Sequence, residues 1–439
     1  MDASATHTFA LMSPEECDRL TVPFAEIEAR LSGVLAEHGV AIVPDVASPE
    51  DCAALEALFS QDLYSALDNP AAALRTAEEA GPEHESLVQA LREVMAAGPD
   101  HAAQVWPPGT PLGRRGAGGA STRGLPQGRF AWAARLHPRV RACYAALHGT
   151  SDLCVGLDQP FFVPRATPDD RESKRLWPHA DHNVHSTQGG GDEVFQSVLY
   201  VWGSNRDGAS TTIVQPGSHR DVYDTLMRDP AMVARRNNHF CQASHHRAQL
   251  NHDHNLKPPL AYAPQISAMA DASAAAELWA SYLAQARRVP VPAGGLFIWS
   301  SRTMHQGHAG GSRLAMPVCW EPVERRSPDV RARKARLVLS GLASSHWASL
   351  GLQHGCARSK AEALPAQPAP PGESWTEAQL PLQARPPLPE QVTAGGVGTD
   401  AARDVVLADA RRDFRHVDAD RGLRDVMLAA LSAAVRDAL

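Results

Sequence analysis

The sequence predicts an α+β protein: a mainly β core with helices on either side of it. Two observations carry this. From about Phe130 to Trp320, short apolar runs alternate with Gly and Pro turn chemistry, the pattern of a sandwich, jelly roll or barrel. Before and after that stretch, apolar residues recur at helical intervals instead. With 439 residues, 44% hydrophobic and 21% charged, the chain can bury a sizeable core and is not disordered throughout.

The first division is 1–128. Ser13 and Glu16 have capping-box spacing, and Phe24, Ile27, Leu31, Val34 and Leu35 follow at helical intervals. Val40-Ala-Ile-Val-Pro44 reads as a strand, and Ser48-Pro49-Glu50-Asp51 as a helix start with Pro at the first helical position. Residues 99–128 are a long Gly/Pro-rich loop, a mobile segment or a lid. The second division, 129–345, holds the β core. Its runs are 152–163, 194–202, 211–214 (closed by the Pro216-Gly217-Ser218 turn), 295–299 and 314–320, with a helical, His-rich insertion at 221–290. Ser327-Pro328-Asp329 then opens a helix that reaches Gly341. In the third division, 346–439, a Pro-rich extended segment (364–396) precedes an Ala-rich amphipathic helical tail (400–438). No internal repeat is present.

Charge and cysteine usage narrow the functional classes. A formal net charge of −7 gives no general attraction to nucleic acid or anionic lipid. No apolar stretch is long enough to span a membrane, and the N-terminus lacks a basic flank and apolar core. The seven cysteines contain no CxxC pair and read as reduced thiols of a cytoplasmic protein. Twenty histidines are the compositional feature that leads further.

They are densest in Trp177-Pro-His179-Ala-Asp181-His182-Asn-Val-His185. On a strand, residues i and i+2 share a face, so His179 and Asp181 can aim an imidazole and a carboxylate at one point. A third ligand from a distant strand would complete a two-histidine, one-carboxylate set, which suits Fe(II) and leaves positions open. His305 is suitably placed, between the apolar run Gly295-Leu-Phe-Ile-Trp299 and Gly307; His308 is its rival. Arg313 opens the next strand, placed to pair with an anionic cosubstrate, and Arg302 is the next candidate for that role. His179-x-Asp181-His182 also matches the end of the HxHxDH signature of zinc/iron hydrolases, but Trp177 stands where the first His belongs.

His179-x-Asp181, Thr212-Ile-Val-Gln-Pro-Gly-Ser-His219, and Gly295-Leu-Phe-Ile-Trp…His305-x-Gly followed by Arg313 resemble the phytanoyl-CoA dioxygenase-type Fe(II)/2-oxoglutarate oxygenases. Glu37-His-Gly-Val-Ala-Ile-Val-Pro with its Ser-Pro-Glu-Asp helix is similar to the family's opening, and the resemblance spans roughly 25–345. It implies a double-stranded β-helix, a cupin-like jelly roll, with Fe(II) held by His179, Asp181 and His305. Arg313 would take the distal carboxylate of 2-oxoglutarate, O2 would fill the remaining position, and ascorbate would serve as accessory reductant. Turnover would release succinate and CO2 while a small organic substrate is oxidised. The step from His305 to Arg313 is a few residues shorter than the family shows. Asp181 argues against a halogenating relative, which needs a small residue there to admit halide.

The other features have blander readings. Gln159 and Tyr200 lie on predicted strands and could touch the cosubstrate, or be core and rim residues. His182 and His185 read as neighbours of the ligands, since two more ligands would close the open positions. The cluster His239-Phe-Cys241…His245-His246…His252-Asp-His254 is a polar insertion covering the site, with structural zinc as the alternative. Arg325, Arg326, Arg331, Arg333, Lys334 and Arg336 read as a solvated helix face, with an anionic partner as the alternative. Two further functions stay open: an oxygenase acting on a nucleic acid base or protein side chain, and a catalytically inactive jelly-roll binding protein.

Overall fold

The computed structural model describes residues 7–110, 112, 124–173, 176–187, 189–234, 241–242, 267–350, 388–394 and 421–439. The chain forms two compact units, each from two separate stretches: Met1–Val46 with Asp169–Gly311, and Ala47–Pro168 with Ser312–Leu439. These cut across the divisions drawn at 128 and 345, because strands distant in sequence pair within one unit. Mixed helices and antiparallel sheets make the fold α+β.

Among the described residues, the first unit contains two larger sheets beside the two-stranded pair of His7–Thr8 with Glu172–Ser173. One has the strands β1 (Val40–Val43), β3 (Phe195–Tyr200) and β5 (Leu296–Ser300), with β5 antiparallel to both others. The other joins β2 (His179–Ala180), β4 (Thr211–Val214) and β6 (His305–His308), with β6 antiparallel to both. Arg287–Arg288 extends it beside β4. Register places Gln196 opposite Trp299 and Val198 opposite Phe297, so these four side chains and Tyr200 share a face. In the facing sheet, His305 lies opposite both His179 and Val214, and Gly307 lies opposite Thr212. The two faces meet, since the Tyr200 hydroxyl lies 3.2 Å from Thr212 Oγ1.

The far side of the β2–β6–β4 sheet is sealed by helices. Ala180, Ile213 and Met304 pack in one buried cluster with Tyr223, Leu226 and Met227 of α1 (Asp221–Arg228) and with Leu278 and Tyr282 of α2 (Ala272–Gln285). Within 221–290 the described residues include the helices Asp221–Arg228, Pro230–Ala234 and Ala272–Gln285; of the His-rich part, only 241–242 lie among the described residues. Asp229 ties the two helices together, its carboxylate accepting from Ala231 N–H (2.8 Å) and from Ala270 and Asp271 N–H (2.9 Å each). On the other sheet, the helices Pro14–Leu20 and Ser32–His38 pack on β1.

The second unit is more helical. Pro49–Ser65 starts at the Ser48 capping box, and its buried Asp62 accepts from the N–H groups of Arg129 and Phe130 at 3.0 Å each. Asp62 thus caps Arg129–Arg135, whose N-cap Gly128 has no side chain to offer. Burial nevertheless outweighs these bonds and pushes the Asp62 carboxyl up to about 6. The run 152–163, expected as one strand, is two: Leu153–Val155 pairs with Trp320–Pro322, and Phe161–Val163 with Arg313–Val318. Gln159 therefore lies between strands, not on one.

The basic helix also corrects the sequence reading. Within Pro328–Leu339, Lys334 and Arg336 are buried. Arg331 donates to the Arg436 carbonyl (2.8 Å), Lys334 Nζ to that of Leu439 (3.2 Å), and Arg424 pairs with Asp329 (2.9 Å). Arg331 and Lys334 thus hold the end of Ala433–Ala438, satisfying oxygens that the last helical turn leaves open, while Asp329 holds Arg421–Ala429 through Arg424. Most of the Pro-rich segment lies outside the described residues. Among those residues, no helix is long and apolar enough to cross a membrane.

Candidate metal centre

The centre is assembled by strand pairing. His179 on β2 and His305 on β6 are direct partners across an antiparallel pair, and their rings lie 4.3 Å apart. Asp181 follows β2 by one residue, on the side of His179, and its N–H donates to the Ser301 carbonyl at 2.9 Å. Its carboxylate therefore reaches both rings: Oδ1 is 3.6 Å from His179 Nε2, and Oδ2 is 3.4 Å from His305 Nε2. One ligand atom from each residue falls within 4.8 Å of the others, the spacing of a set that can hold one metal ion.

Hydrogen bonds decide which ring nitrogen faces the centre. His179 Nδ1 lies 3.0 Å from the Trp177 carbonyl, and His305 Nδ1 lies 2.9 Å from the Thr303 carbonyl. A carbonyl only accepts, so Nδ1 carries the proton and Nε2 presents its lone pair. Two imidazole lone pairs and a carboxylate thus converge on one point, an arrangement that a cation relieves. Pinning of the remote nitrogen to a backbone oxygen is how metal-ligating histidines are oriented. Both histidines are buried and Asp181 is half-buried.

Aromatic rings wall the imidazoles. Trp177 stacks on His179 with centroids 4.5 Å apart and planes 14° from parallel, and the Trp299 ring lies 5.3 Å from His305. Gln196 Nε2 donates to Asp181 Oδ2 at 3.0 Å.

His305 and His308 are three positions apart on β6 and so point to opposite faces. His308 Nε2 bonds the Asp170 carbonyl at 3.0 Å, away from His179 and Asp181. His182 and His185 are likewise held by backbone, at Gly190 O (2.9 Å) and Met227 O (2.8 Å), fixing the loop beyond Asp181. Arg302 lies over the Tyr223 ring at 5.7 Å. Tyr200 ends β3 in the same unit as the three candidate ligands. Arg313 and Gln159 belong to the other unit, where Arg313 is buried with its guanidinium 4.5 Å over the Phe161 ring and Gln159 is half-buried.

Sequence reasoning missed Gln196 and Thr303. Gln196 did leave a signal, as the amide in the otherwise apolar alternation Gln196, Val198, Tyr200.

No protein-family profile matches this chain, and no curated protein matches it. Among solved structures it is similar to the epimerase SnoN in complex with Fe3+, alpha ketoglutarate and nogalamycin RO. The identity is 15% over 68% of this chain and 84% of that one, with a TM-score of 0.31. It is also similar to GlcNAc Inducible Gene 2, GIG2 (DUF1479), from Candida albicans, at 11% identity over 90% of this chain and 86% of that one, with a TM-score of 0.36. Likenesses this distant assign no activity to the chain.

Proposed function

We propose that this protein is an Fe(II)- and 2-oxoglutarate-dependent oxygenase of a small organic substrate, built on a double-stranded β-helix of the phytanoyl-CoA dioxygenase type. The observation that carries the reading is the convergence of His179 Nε2, His305 Nε2 and an Asp181 oxygen, with both Nδ1 atoms committed to backbone carbonyls. Two imidazoles and one carboxylate suit Fe(II) and leave the rest of its coordination sphere for other ligands. When bound, the iron supplies O2 activation, with 2-oxoglutarate providing the electrons as it is converted to succinate and CO2.

The chain's own residues bind, orient and exclude water. His179, Asp181 and His305 would hold the ion. Trp177 and Trp299 flank the imidazoles and help to hold them correctly turned. The Tyr200 hydroxyl, 3.2 Å from Thr212 Oγ1, is a polar group on the inner face that we assign to the cosubstrate. On the order of the motifs in the sequence, Arg313 is assigned to its distal carboxylate. The basic helix offers little support for a nucleic-acid substrate, because Arg331 and Lys334 are engaged with the C-terminal helix and Arg336 is buried.

The test needs no substrate. Purified protein with Fe(II), O2 and 2-oxoglutarate should release succinate slowly, and Zn(II) in place of Fe(II) should release none. Asp181→Ala should abolish the release. Arg313→Ala should raise the 2-oxoglutarate requirement about 30- to 1,000-fold, the loss of one buried charge-assisted pair. Succinate formation that survives in Asp181→Ala would overturn the assignment.

A further inference from the structure

We propose that Gln196 is a positioning residue that holds Asp181 as a one-oxygen ligand and so keeps a coordination position open. The inference rests on the metal reading above and deepens it. A carboxylate beside a metal can bind through one oxygen or chelate through both. Chelation by Asp181 would occupy a position that a two-histidine, one-carboxylate centre otherwise offers to cosubstrate or oxygen.

In this chain one of the two oxygens is already taken. A carboxylate only accepts, so the Gln196 amide must turn its NH2 toward it, and Nε2 lies 3.0 Å from Oδ2. The same NH2 lies 3.3 Å from Ser301 Oγ, and the Ser301 carbonyl accepts the Asp181 N–H at 2.9 Å. Backbone and side chain of Asp181 are thus fixed by two neighbours, Ser301 and Gln196, that are bonded to each other. Oδ1 is the oxygen turned to His179, while Oδ2, the one Gln196 holds, is turned to His305. Gln196 cannot easily swing away, because it is buried on β3 directly opposite Trp299, the residue that flanks His305.

The cost of placing an amide here supports the same role. Phe195, Val198, Leu199 and Tyr200 make β3 an apolar strand, and burying an amide in it is unfavourable unless its hydrogen bonds are made. The strand bears that cost at the position facing the carboxylate.

The experiment uses the full chain with Co(II) as the metal probe, reading affinity and the visible absorption whose intensity reports coordination number. Gln196→Leu keeps the side chain's approximate size and removes the donor. Gln196→Asn keeps a buried amide but ends one methylene short of Oδ2, and carries the test if the Leu variant folds poorly. Each should bind Co(II) about 10- to 100-fold more weakly, the usual effect of losing a group that orients a ligand. The absorption should shift toward the weaker bands of a higher coordination number, with urea unfolding of the metal-free protein little changed. A purely structural Gln196 would instead lower stability while leaving affinity and spectrum as in the wild type, and that result overturns the proposal. Wild-type protein that takes up no Co(II) overturns the metal reading itself, and this inference with it.

Discussion

Gly39→Ala probes how the candidate ligand His305 is held from far away in sequence. Gly39 ends the helix Ser32–His38 in the left-handed region, at φ 71°, and its N–H bonds the Leu35 carbonyl at 2.8 Å. Its own carbonyl accepts from Ser300 N–H and from Thr303 Oγ1, both at 2.9 Å. Thr303 in turn fixes His305 Nδ1. An added Cβ would press on His219 Nδ1 and lie 2.8 Å from Thr303 Oγ1. The left-handed conformation costs a non-glycine residue about 1–2 kcal/mol, and overpacking a tight site adds about 1–3 kcal/mol. The expected loss is therefore about 2–5 kcal/mol, with weaker divalent-metal binding because Thr303 must shift. Gly33, six residues earlier, is the internal control. It is exposed in the same helix with nothing within 4 Å of an added Cβ. Gly33→Ala should therefore stabilise by about 0.5–1 kcal/mol. Urea unfolding reads both, as midpoint shifts of opposite sign at constant slope. If the two substitutions shift the midpoint in the same direction, or Gly39→Ala leaves it in place, the reasoning fails.

Two further outcomes follow from the packing. Asp229→Ala strips the acceptor from Ala231 N–H and from the Ala270 and Asp271 N–H groups that join α1 to α2, and should cost about 3–6 kcal/mol in urea, given about 1.5–3 kcal/mol for each of those two joining bonds to a charged group; an unmoved midpoint would show that the pin is idle. His148 is pushed down to about 4, by burial first and then by Arg325, while its Nε2 bonds the Trp320 carbonyl. Above pH 6.5 neither state binds the proton; from there down to about 4 only the unfolded chain does, so stability falls as pH falls through this window. The full shift corresponds to about 3 kcal/mol, and partial exposure reduces it to about 1–2 kcal/mol. His148→Gln should flatten that part of the pH profile, and an identical slope in the variant would contradict the assignment.

The features legible in the sequence are those whose causes are local. The helix starts at Ser13 and Ser48 carry their capping partners three residues on, and both capping boxes form. Val40–Val43 is a strand where a β-branched run sits between turn residues. The gathering of His179, Asp181 and His305 was visible because alternation on a strand fixes side-chain direction. The same alternation separates His305 from His308 once β6 is known to include both. What could not be read depends on partners distant in the chain. The run 152–163 breaks near Gly156, where an added Cβ would lie 3.0 Å from the His346 carbonyl. Lys334 and Arg336 looked solvated because the carbonyls that Arg331 and Lys334 serve lie about a hundred residues later. Gln196 stood out as polar, but only the fold brings Asp181 to it.

His179, Asp181 and His305 are assigned to hold Fe(II) with positions left for 2-oxoglutarate. The most direct measurement is an anaerobic Fe(II) titration followed by visible absorption, with and without 2-oxoglutarate, on wild type, His305→Ala and His308→Ala in parallel. The wild-type chain should show a charge-transfer band only when both metal and cosubstrate are present. His305→Ala should lose the band and His308→Ala should keep it. A band that survives in His305→Ala, or disappears in His308→Ala, would contradict the account.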